Sequence, residues 1–554
     1  MSGSTSGLAR FGALLVVWAL TVIAVISLFF YPGRIWLWVV TVLLVLLAAR
    51  GLYDLLQTRH TLLRNYPLLG HIRWAFEFLR PFLRQYIVES DLEQNPYSRE
   101  MRSLIYQRAK DVMDAKPFGT DLDVYNNEYQ LLTHSMAAHE KPDPNFRVTI
   151  GNEQCAKPYQ ASVLNVSAMS FGALSAPAIE ALNLGARNGG FYHDTGEGGI
   201  SPYHRKHGGD LVWEIGSGYF GCRDQDGRFD RELFKEQATS DQVKMIEIKL
   251  SQGAKPGHGG VLPAAKVTRE IAATRKIPLA QDCVSPSYHT AFSSPRGMIE
   301  WADSLRRDSG GKPVGIKLCV GHPWEVFAVC KAMLETGIYL DFIVVDGAEG
   351  GTGAAPEEFS NHIGIPLREG LLLVRNALVG TGLRKHVRLG ASGKVYSAYT
   401  MAMNMAIGAD WCNAARAFML TLGCLQTKKC HTDRCPTGVA TQNPNRQRGL
   451  VVADKAPRVA NFHRNTLDHL AEVIAAAGLD HPGELRPHHL MHRPESTQLI
   501  SLDKIYPFLE ANSLLDDPDS TPYASWWHAA DPDSFLPKEV IHPGPHSGEA
   551  SLSH

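Results

Sequence analysis

The residues best suited to chemistry lie in one short segment, Cys424-Leu-Gln-Thr-Lys-Lys-Cys430-His-Thr-Asp-Arg-Cys435-Pro436. Its three cysteines are spaced six and five residues apart, and a proline follows the last. Thiolates are soft ligands that suit zinc or iron–sulfur clusters. A closed tetrahedral zinc site wants four ligands, so three match a cluster with three irons better. The plainer reading is a loop that happens to be cysteine-rich. Against it, free cysteines are normally scattered and buried.

Two glycine loops precede this segment. Gly350-Gly351-Thr352-Gly353 follows the apolar run FIVVDG, and Gly390-Ala391-Ser392-Gly393-Lys394 follows VRL. Glycines let backbone N–H groups approach an anion closely. With the loop that holds Asn413, Ala414 and Arg416, they suggest one pocket for a phosphorylated cofactor.

Lys249 and Lys317 occupy matching places in two expected strands, IEIKL and VGIKL. A lysine in an apolar strand is costly unless it is paired or set at an open end. A snorkelling lysine at a strand terminus is one reading. A cation beside a flavin ring is the other, and the repetition favours it. Gln252, Lys255 and Arg275 follow the first of these strands, and together they can grip a small dicarboxylate. Any one of them alone is ordinary surface. Glu197, in Gly196-Glu197-Gly198-Gly199, is either a solvated loop acid or a group that receives a proton or orients ammonia.

These groups need a scaffold. From about residue 148, short apolar runs end in glycine-rich loops and helical stretches follow, as in ASVLNVSAMSFGALS, PVGIKLCVG and FIVVDGAEGGTGAAP. Buried strands alternating with helices indicate a parallel sheet. Their number suits an α/β fold of the (β/α)8 TIM barrel type, whose strand-end loops build the site. A doubly wound open sheet is the alternative, but no G-x-G-x-x-G follows a strand in the dinucleotide-binding manner.

The first 60 residues differ from the rest. Residues 11–30 are uncharged, and residues 35–49 form a second apolar run after Tyr31-Pro32-Gly33-Arg34. A bilayer span needs about 20 such residues. A cleaved signal peptide is disfavoured because a second run follows at once. Arg50, Arg59, His60 and Arg64 lie beyond the second run, against Arg34 alone in the turn. The positive-inside rule then places the large body on the cytoplasmic side of the cell membrane. The expected organisation is a transmembrane hairpin (1–60), a helical adaptor (61–147), the barrel (148–445), and a helical C-terminal extension with a disordered tail (446–554). Pro81 is expected to interrupt the first adaptor helix, and the adaptor arginines are expected to be solvated. The 55 basic and 56 acidic residues nearly cancel, which gives no electrostatic case for nucleic acid. The nine cysteines are not arranged as a secreted disulfide framework.

The segments SAMSFGALS, TGEGGISPYH, EIKLSQGAKPGHGG, VDGAEGGTGAAP and GCLQTKKCHTDRCPTGVATQNP resemble the FMN-binding synthase domain of glutamate synthase over about residues 161–444. The motif YPLLGHIR…YSREMRSLIYQRAK extends the likeness to stand-alone, membrane-anchored members of the FMN-binding glutamate synthase family. The resemblance implies FMN and a 3Fe-4S cluster held by Cys424, Cys430 and Cys435. It implies Ala168, Met169 and Ser170 against the flavin, and Lys249, Lys317, Gly350, Gly351, Gly390, Ser392, Gly393, Ala414 and Arg416 around the cofactor. Gln252, Lys255 and Arg275 would hold a 2-oxoacid, and Glu197 would face ammonia. The reaction implied is reductive amination of 2-oxoglutarate to L-glutamate through 2-iminoglutarate. Electrons would come from a ferredoxin-like protein or a reductase subunit. The chain departs from the family at His258, where glutamate synthases read GEGG. It also starts without a glutaminase segment, so no glutamine hydrolysis is expected. The alternatives are a membrane-tethered electron-transfer module, or an amine or oxoacid oxidoreductase with another substrate.

Overall fold

The computed structural model describes residues 10–93, 96–495 and 497–538. The expected disorder of residues 540–554 lies outside the described residues. The chain forms two compact units, Met1–Arg99 and Glu100–His554.

In the first unit, helices Gly12–Phe30 and Ile35–Leu56 pair as an antiparallel hairpin. The Trp18 indole donates to the Ala48 carbonyl at 3.5 Å, and the Trp38 indole to that of Pro32 at 3.0 Å. Both helices are long and apolar enough to cross a bilayer. Most of their side chains are exposed, which is not how a soluble core helix is arranged. A short helix, Thr61–Asn65, leads to helix Gly70–Leu83. Here the expectation for Pro81 is corrected. The helix runs through the proline and continues as a π turn, Arg84–Val88, closed by Glu89 N–H donating to Arg84 O at 2.7 Å. Proline removes one N–H near the end of the helix, and the wider turn that follows absorbs the misfit.

The second unit is built on a closed barrel of eight parallel strands. These are β1 (Leu164–Val166), β2 (His193–Asp194), β3 (Leu211–Ile215), β4 (Val243–Lys249), β5 (Val314–Leu318), β6 (Phe342–Asp346), β7 (Arg388–Ser392) and β8 (Trp411–Ala414). Each strand pairs with the next, and β8 closes on β1 through Cys412↔Leu164 and Ala414↔Val166. Closure rules out the open doubly wound sheet. Strands β3 and β6 are buried at every position, because side chains fill the barrel on one face and helices cover the other.

The long C-terminal helix Val452–Ala476 belongs to this packing. Its His463 stacks on Phe191 at 4.0 Å and is hydrogen-bonded through Nε2 to Ser162 Oγ at 2.9 Å. A three-stranded sheet joins Gln130–Leu132 to Leu490–Glu495 and Gln498–Ser501. Segments from both ends of the chain are thus built into the barrel unit. The expectation that the adaptor arginines are solvated holds for Arg73, Arg80, Arg84 and Arg99, which are exposed, and fails for two others. Arg102 and Arg108 are buried, and Arg108 Nε lies 2.9 Å from the Asp114 carboxylate.

Candidate functional site

The C-terminal strand ends gather the polar residues singled out above. After β1 come Ala168, Met169 and Ser170. The loop after β2 crosses directly over them. Gly196 has φ +64°, and a Cβ there would meet Ser170 N at 2.6 Å, so the crossing requires glycine. The next residue, Glu197, turns its carboxylate to Lys249 at the end of β4, with Nζ 2.9 Å from Oε1. Burial pushes the Glu197 pKa up, but Lys249, then Lys255 and Arg275, overcome it and hold the group down at about 2. Glu197 is therefore ionised throughout the physiological range.

Lys255 and Arg275 are both buried. Lys255 Nζ donates to Ala354 O at 3.2 Å, and burial lowers its pKa. Arg275 comes from helix Arg269–Arg275 and donates to Ser170 Oγ at 3.2 Å and Phe171 O at 3.1 Å. Its Nε is buried without a hydrogen-bond partner. Gln252 donates to Thr352 Oγ1 at 3.3 Å, which links the β4 and β6 loops. Asp346 Oδ2 accepts from Gly253 N–H at 2.8 Å in the same region. Three cations around one carboxylate leave a local excess of positive charge beside the β1 loop. That excess is suited to a small anion.

The end of β4 is itself clamped. Tyr219 OH accepts from Thr290 N and Ala291 N at 2.9 and 3.0 Å, so its own proton goes to His289 Nδ1 at 3.2 Å. The opposite ring nitrogen, Nε2–H, then donates to the Lys249 carbonyl at 2.8 Å. Burial lowers the His289 pKa to about 4, which keeps the ring neutral for this role.

On the far side lie the glycine loops. The Arg416 side chain lies across Gly351, where a Cβ would come within 2.8 Å of Arg416 Cδ, and it donates to Glu349 O at 2.7 Å. Gly393 and Lys394 both have positive φ. Burial, and then Arg416, lower the Lys394 pKa, so two cations flank these loops. Ser392 and Ala414 end β7 and β8, and Ser167 N–H donates to Ala414 O at 3.0 Å. Gly350 packs against Gly347 O and Gly253 Cα, where a Cβ would lie within 2.9 and 3.2 Å. These groups fit a phosphate. Gly390 is placed differently. It lies inside β7, and the space of its missing side chain is filled by the Trp411 ring, 2.6 Å from a Cβ. Lys394 was visible in the GASGK loop but was not singled out as a ligand.

Lys317 also departs from its counterpart. It is the register partner of Lys249, but its Nζ is bound to Glu214 and lies 3.4 Å from Glu247, within the barrel. Asp194, Glu214 and Glu247 place carboxylate oxygens within 4.8 Å of one another. Burial, and then Glu214, push the Asp194 pKa up to about 7, and burial and Asp194 push Glu247 well up. None of these three acids was singled out from sequence. Glutamate inside an apolar strand was the available signal, in IEIKL and LVWEI.

The cysteine segment is backbone-strained. Gln426, Lys428 and Asp433 take positive φ between and beside the cysteines. Burial raises the Cys424 pKa to about 12, and the nearby Cys430 and Cys435 add to the rise. Burial also acts to raise Cys435. Hydrogen bonds from Thr437 and from the backbone at Ala440 and Val439 outweigh it and leave the thiol below its ordinary value. Lys266 is buried and donates to Cys430 O at 3.3 Å and Ala173 O at 2.8 Å. Gln442 donates to Gly172 O and Leu174 O at 3.0 and 2.9 Å. The cysteine segment is thereby tied to the loop that begins with Ala168–Ser170. Three thiols, N–H donors toward Cys424 and Cys435 and a buried cation fit a thiolate-bound cluster. His258 packs edge-on against Phe359 at 5.2 Å, and its Nδ1 lies 2.8 Å from Gly259 O.

A family model for the conserved region in glutamate synthase matches residues 101–480. The chain is 35% identical over 512 residues to the glutamate synthase large subunit-like protein YerD of Bacillus subtilis (strain 168), covering 84% of this chain and 96% of that protein. It is 35% identical over 322 residues to an archaeal glutamate synthase (NADPH) of Methanocaldococcus jannaschii, covering 58% of this chain and 60% of that protein. An archaeal-type glutamate synthase (NADPH) of Thermotoga neapolitana is 32% identical over 324 residues, with the same coverage of each. The match thus spans about three fifths of the archaeal and archaeal-type proteins.

Proposed function

The chain belongs to the glutamate synthase family, whose members are oxidoreductases, and we propose that it reductively aminates 2-oxoglutarate with ammonia to give L-glutamate. One observation carries the reading. An ionised Glu197 is held against Lys249 at 2.9 Å, with Lys255 and Arg275 around it, beside the loop of Ala168, Met169 and Ser170. FMN supplies hydride chemistry when bound, and a 3Fe-4S cluster on Cys424, Cys430 and Cys435 supplies single electrons. Gly351, Ser392, Gly393, Lys394 and Arg416 would hold the flavin phosphate, and Ala168–Ser170 would line its ring.

Lys255 and Arg275 neutralise the two carboxylates of the oxoacid, and Gln252 orients it. A carboxyl with a pKa near 2 is a poor base at neutral pH. Glu197 therefore orients the N–H bonds of ammonia and of the imine rather than removing a proton. Lys249 keeps it ionised, and water leaves as the oxoacid condenses with ammonia. The apolar hairpin anchors the protein in the cell membrane with the barrel on the cytoplasmic side. The positive residues after the second apolar run support that orientation.

The test is anaerobic. Reduced protein is mixed with 2-oxoglutarate and ammonium, and flavin reoxidation is followed together with glutamate formation. Charge-assisted hydrogen bonds contribute about 1.5–3 kcal/mol each. Arg275→Ala should raise the oxoacid concentration for half-maximal reoxidation roughly ten- to a hundredfold, with flavin content unchanged. An equal response from both proteins places the oxoacid elsewhere. Reoxidation by another 2-oxoacid but not by 2-oxoglutarate would move the substrate.

A further inference from the structure

We propose that residues 70–88 form a third membrane element, an amphipathic helix lying in the plane of the bilayer surface. The inference rests on the membrane reading of the apolar hairpin and extends it. The segment reads GHIRWAFEFLRPFLRQYIV. Along helix Gly70–Leu83, Ile72, Ala75, Phe76, Leu79 and Leu83 recur at spacings of three and four. Arg73, Glu77 and Arg80 lie along one flank of this row and Arg84 continues them, while Trp74, Phe78 and Phe82 widen the apolar face on the other flank.

In a globular protein such an apolar stripe faces a core. Here Ile72 is 49% exposed, Phe76 61%, Leu79 44% and Leu83 40%. The π turn adds Tyr86, Ile87 and Val88, all more than half exposed. Scattered exposed apolar residues are ordinary, but a continuous stripe marks an interaction surface. An apolar face with aromatic residues, flanked by a row carrying three arginines, suits a helix sunk at the level of lipid headgroups. The arginines then reach the phosphates.

Continuity with the hairpin selects a bilayer as the occupant. Asp54 lies in the last turn of helix Ile35–Leu56 and is fully buried. Its Oδ2 accepts from Leu68 N–H at 3.1 Å and from His71 Nε2 at 2.8 Å. One carboxylate thus fixes the start of the amphipathic helix to the end of the second apolar helix. A helix that starts where a span leaves the bilayer meets the headgroup layer first.

The test uses the full chain in vesicles of phosphatidylcholine and phosphatidylglycerol. Two photoactivatable phospholipids are compared, one reactive near the headgroup and one deep in the acyl chain, and adducts are mapped by mass spectrometry. The deep probe should label residues 12–56 and the shallow probe residues 70–88. In the double variant Phe76→Asp, Leu79→Asp, shallow adducts on 70–88 should fall at least tenfold while deep labelling of 12–56 persists. Deep labelling without shallow labelling of 70–88 overturns this inference and leaves the membrane hairpin standing. No labelling of 12–56 overturns the hairpin reading and this one with it. Shallow labelling that the double variant leaves unchanged, or crosslinks from 70–88 to another protein chain in place of lipid, also overturns it.

Discussion

The barrel mouth and the barrel interior use the same residue types for opposite ends. At the mouth, Lys249, Lys255 and Arg275 surround one carboxylate, Glu197. Inside the barrel, where Glu247 precedes Lys249 by two residues on β4, Asp194, Glu214 and Glu247 surround one ammonium, Lys317. Lys249 and Lys317 are register partners on adjacent strands. The mouth has positive charge to spare, which an anionic substrate can complete. The interior has excess acid and is sealed, so protons must complete it: burial and mutual repulsion push Asp194 and Glu247 up. Charge at the mouth is poised for a ligand, whereas charge in the interior holds the barrel together.

The largest expected effect separates the two lysines. Lys317→Met leaves a buried cluster of acids without its cation. Breaking a buried pair from one side costs about 3–5 kcal/mol, so the thermal midpoint should fall steeply or the protein should fail to accumulate. Lys249→Met should keep most of the stability and lose turnover by about a hundredfold or more. Circular-dichroism melts beside turnover assays decide this. Equal destabilisation by both changes would erase the distinction between mouth and interior.

A smaller effect appears in the pH dependence of stability. The folded protein keeps a proton on Asp194 up to about pH 7, whereas the unfolded chain loses it near about 4. Between those values the native state binds more protons, so this group makes stability fall as pH rises. Asp194→Asn should flatten that slope and raise the melting temperature at pH 8 relative to wild type. An unchanged slope in urea titrations at pH 5, 6.5 and 8 would show that the interior acids do not share protons as described.

The smallest effect has the opposite sign. Glu197 is held at about 2, below the roughly 4.3 of an unfolded glutamate. Its contribution is present above that ordinary value and is lost as pH falls toward 2. Glu197→Gln should therefore be less stable than wild type at pH 6, with the gap closing by about pH 2–3. Acid titration of both proteins measures it. A gap that widens on acidification would mean Glu197 is not the ionised partner of Lys249.

Much of the site was legible in the sequence because its signals are local. Cysteine spacing, glycine loops and SQGAKPG report backbone chemistry that few other structures require. Gly390 and Lys317 were legible only in part. Each sits in a motif that promises a loop or an open end, and each is claimed by a side chain from another strand of the barrel: the Trp411 ring on the adjacent strand for one and Glu214 for the other. Pro81 misled because a proline near a helix end removes a single hydrogen bond, which a π turn accommodates.

The sequence alone determined the alternation of buried strands and glycine-ended loops, the two apolar runs and the three thiols on one segment, since each depends on residues close together in the chain. Tertiary structure decided which lysine reaches Glu197 on the strand-end loop and which is neutralised in the core. It decided that Arg275 reaches Ser170 across 105 residues. It also decided that Lys266 and Gln442 bind the cysteine segment to the β1 loop. Charge state and partner depend on what barrel closure brings within a few ångströms and on how much water it removes. Neither is a property of any short stretch of chain.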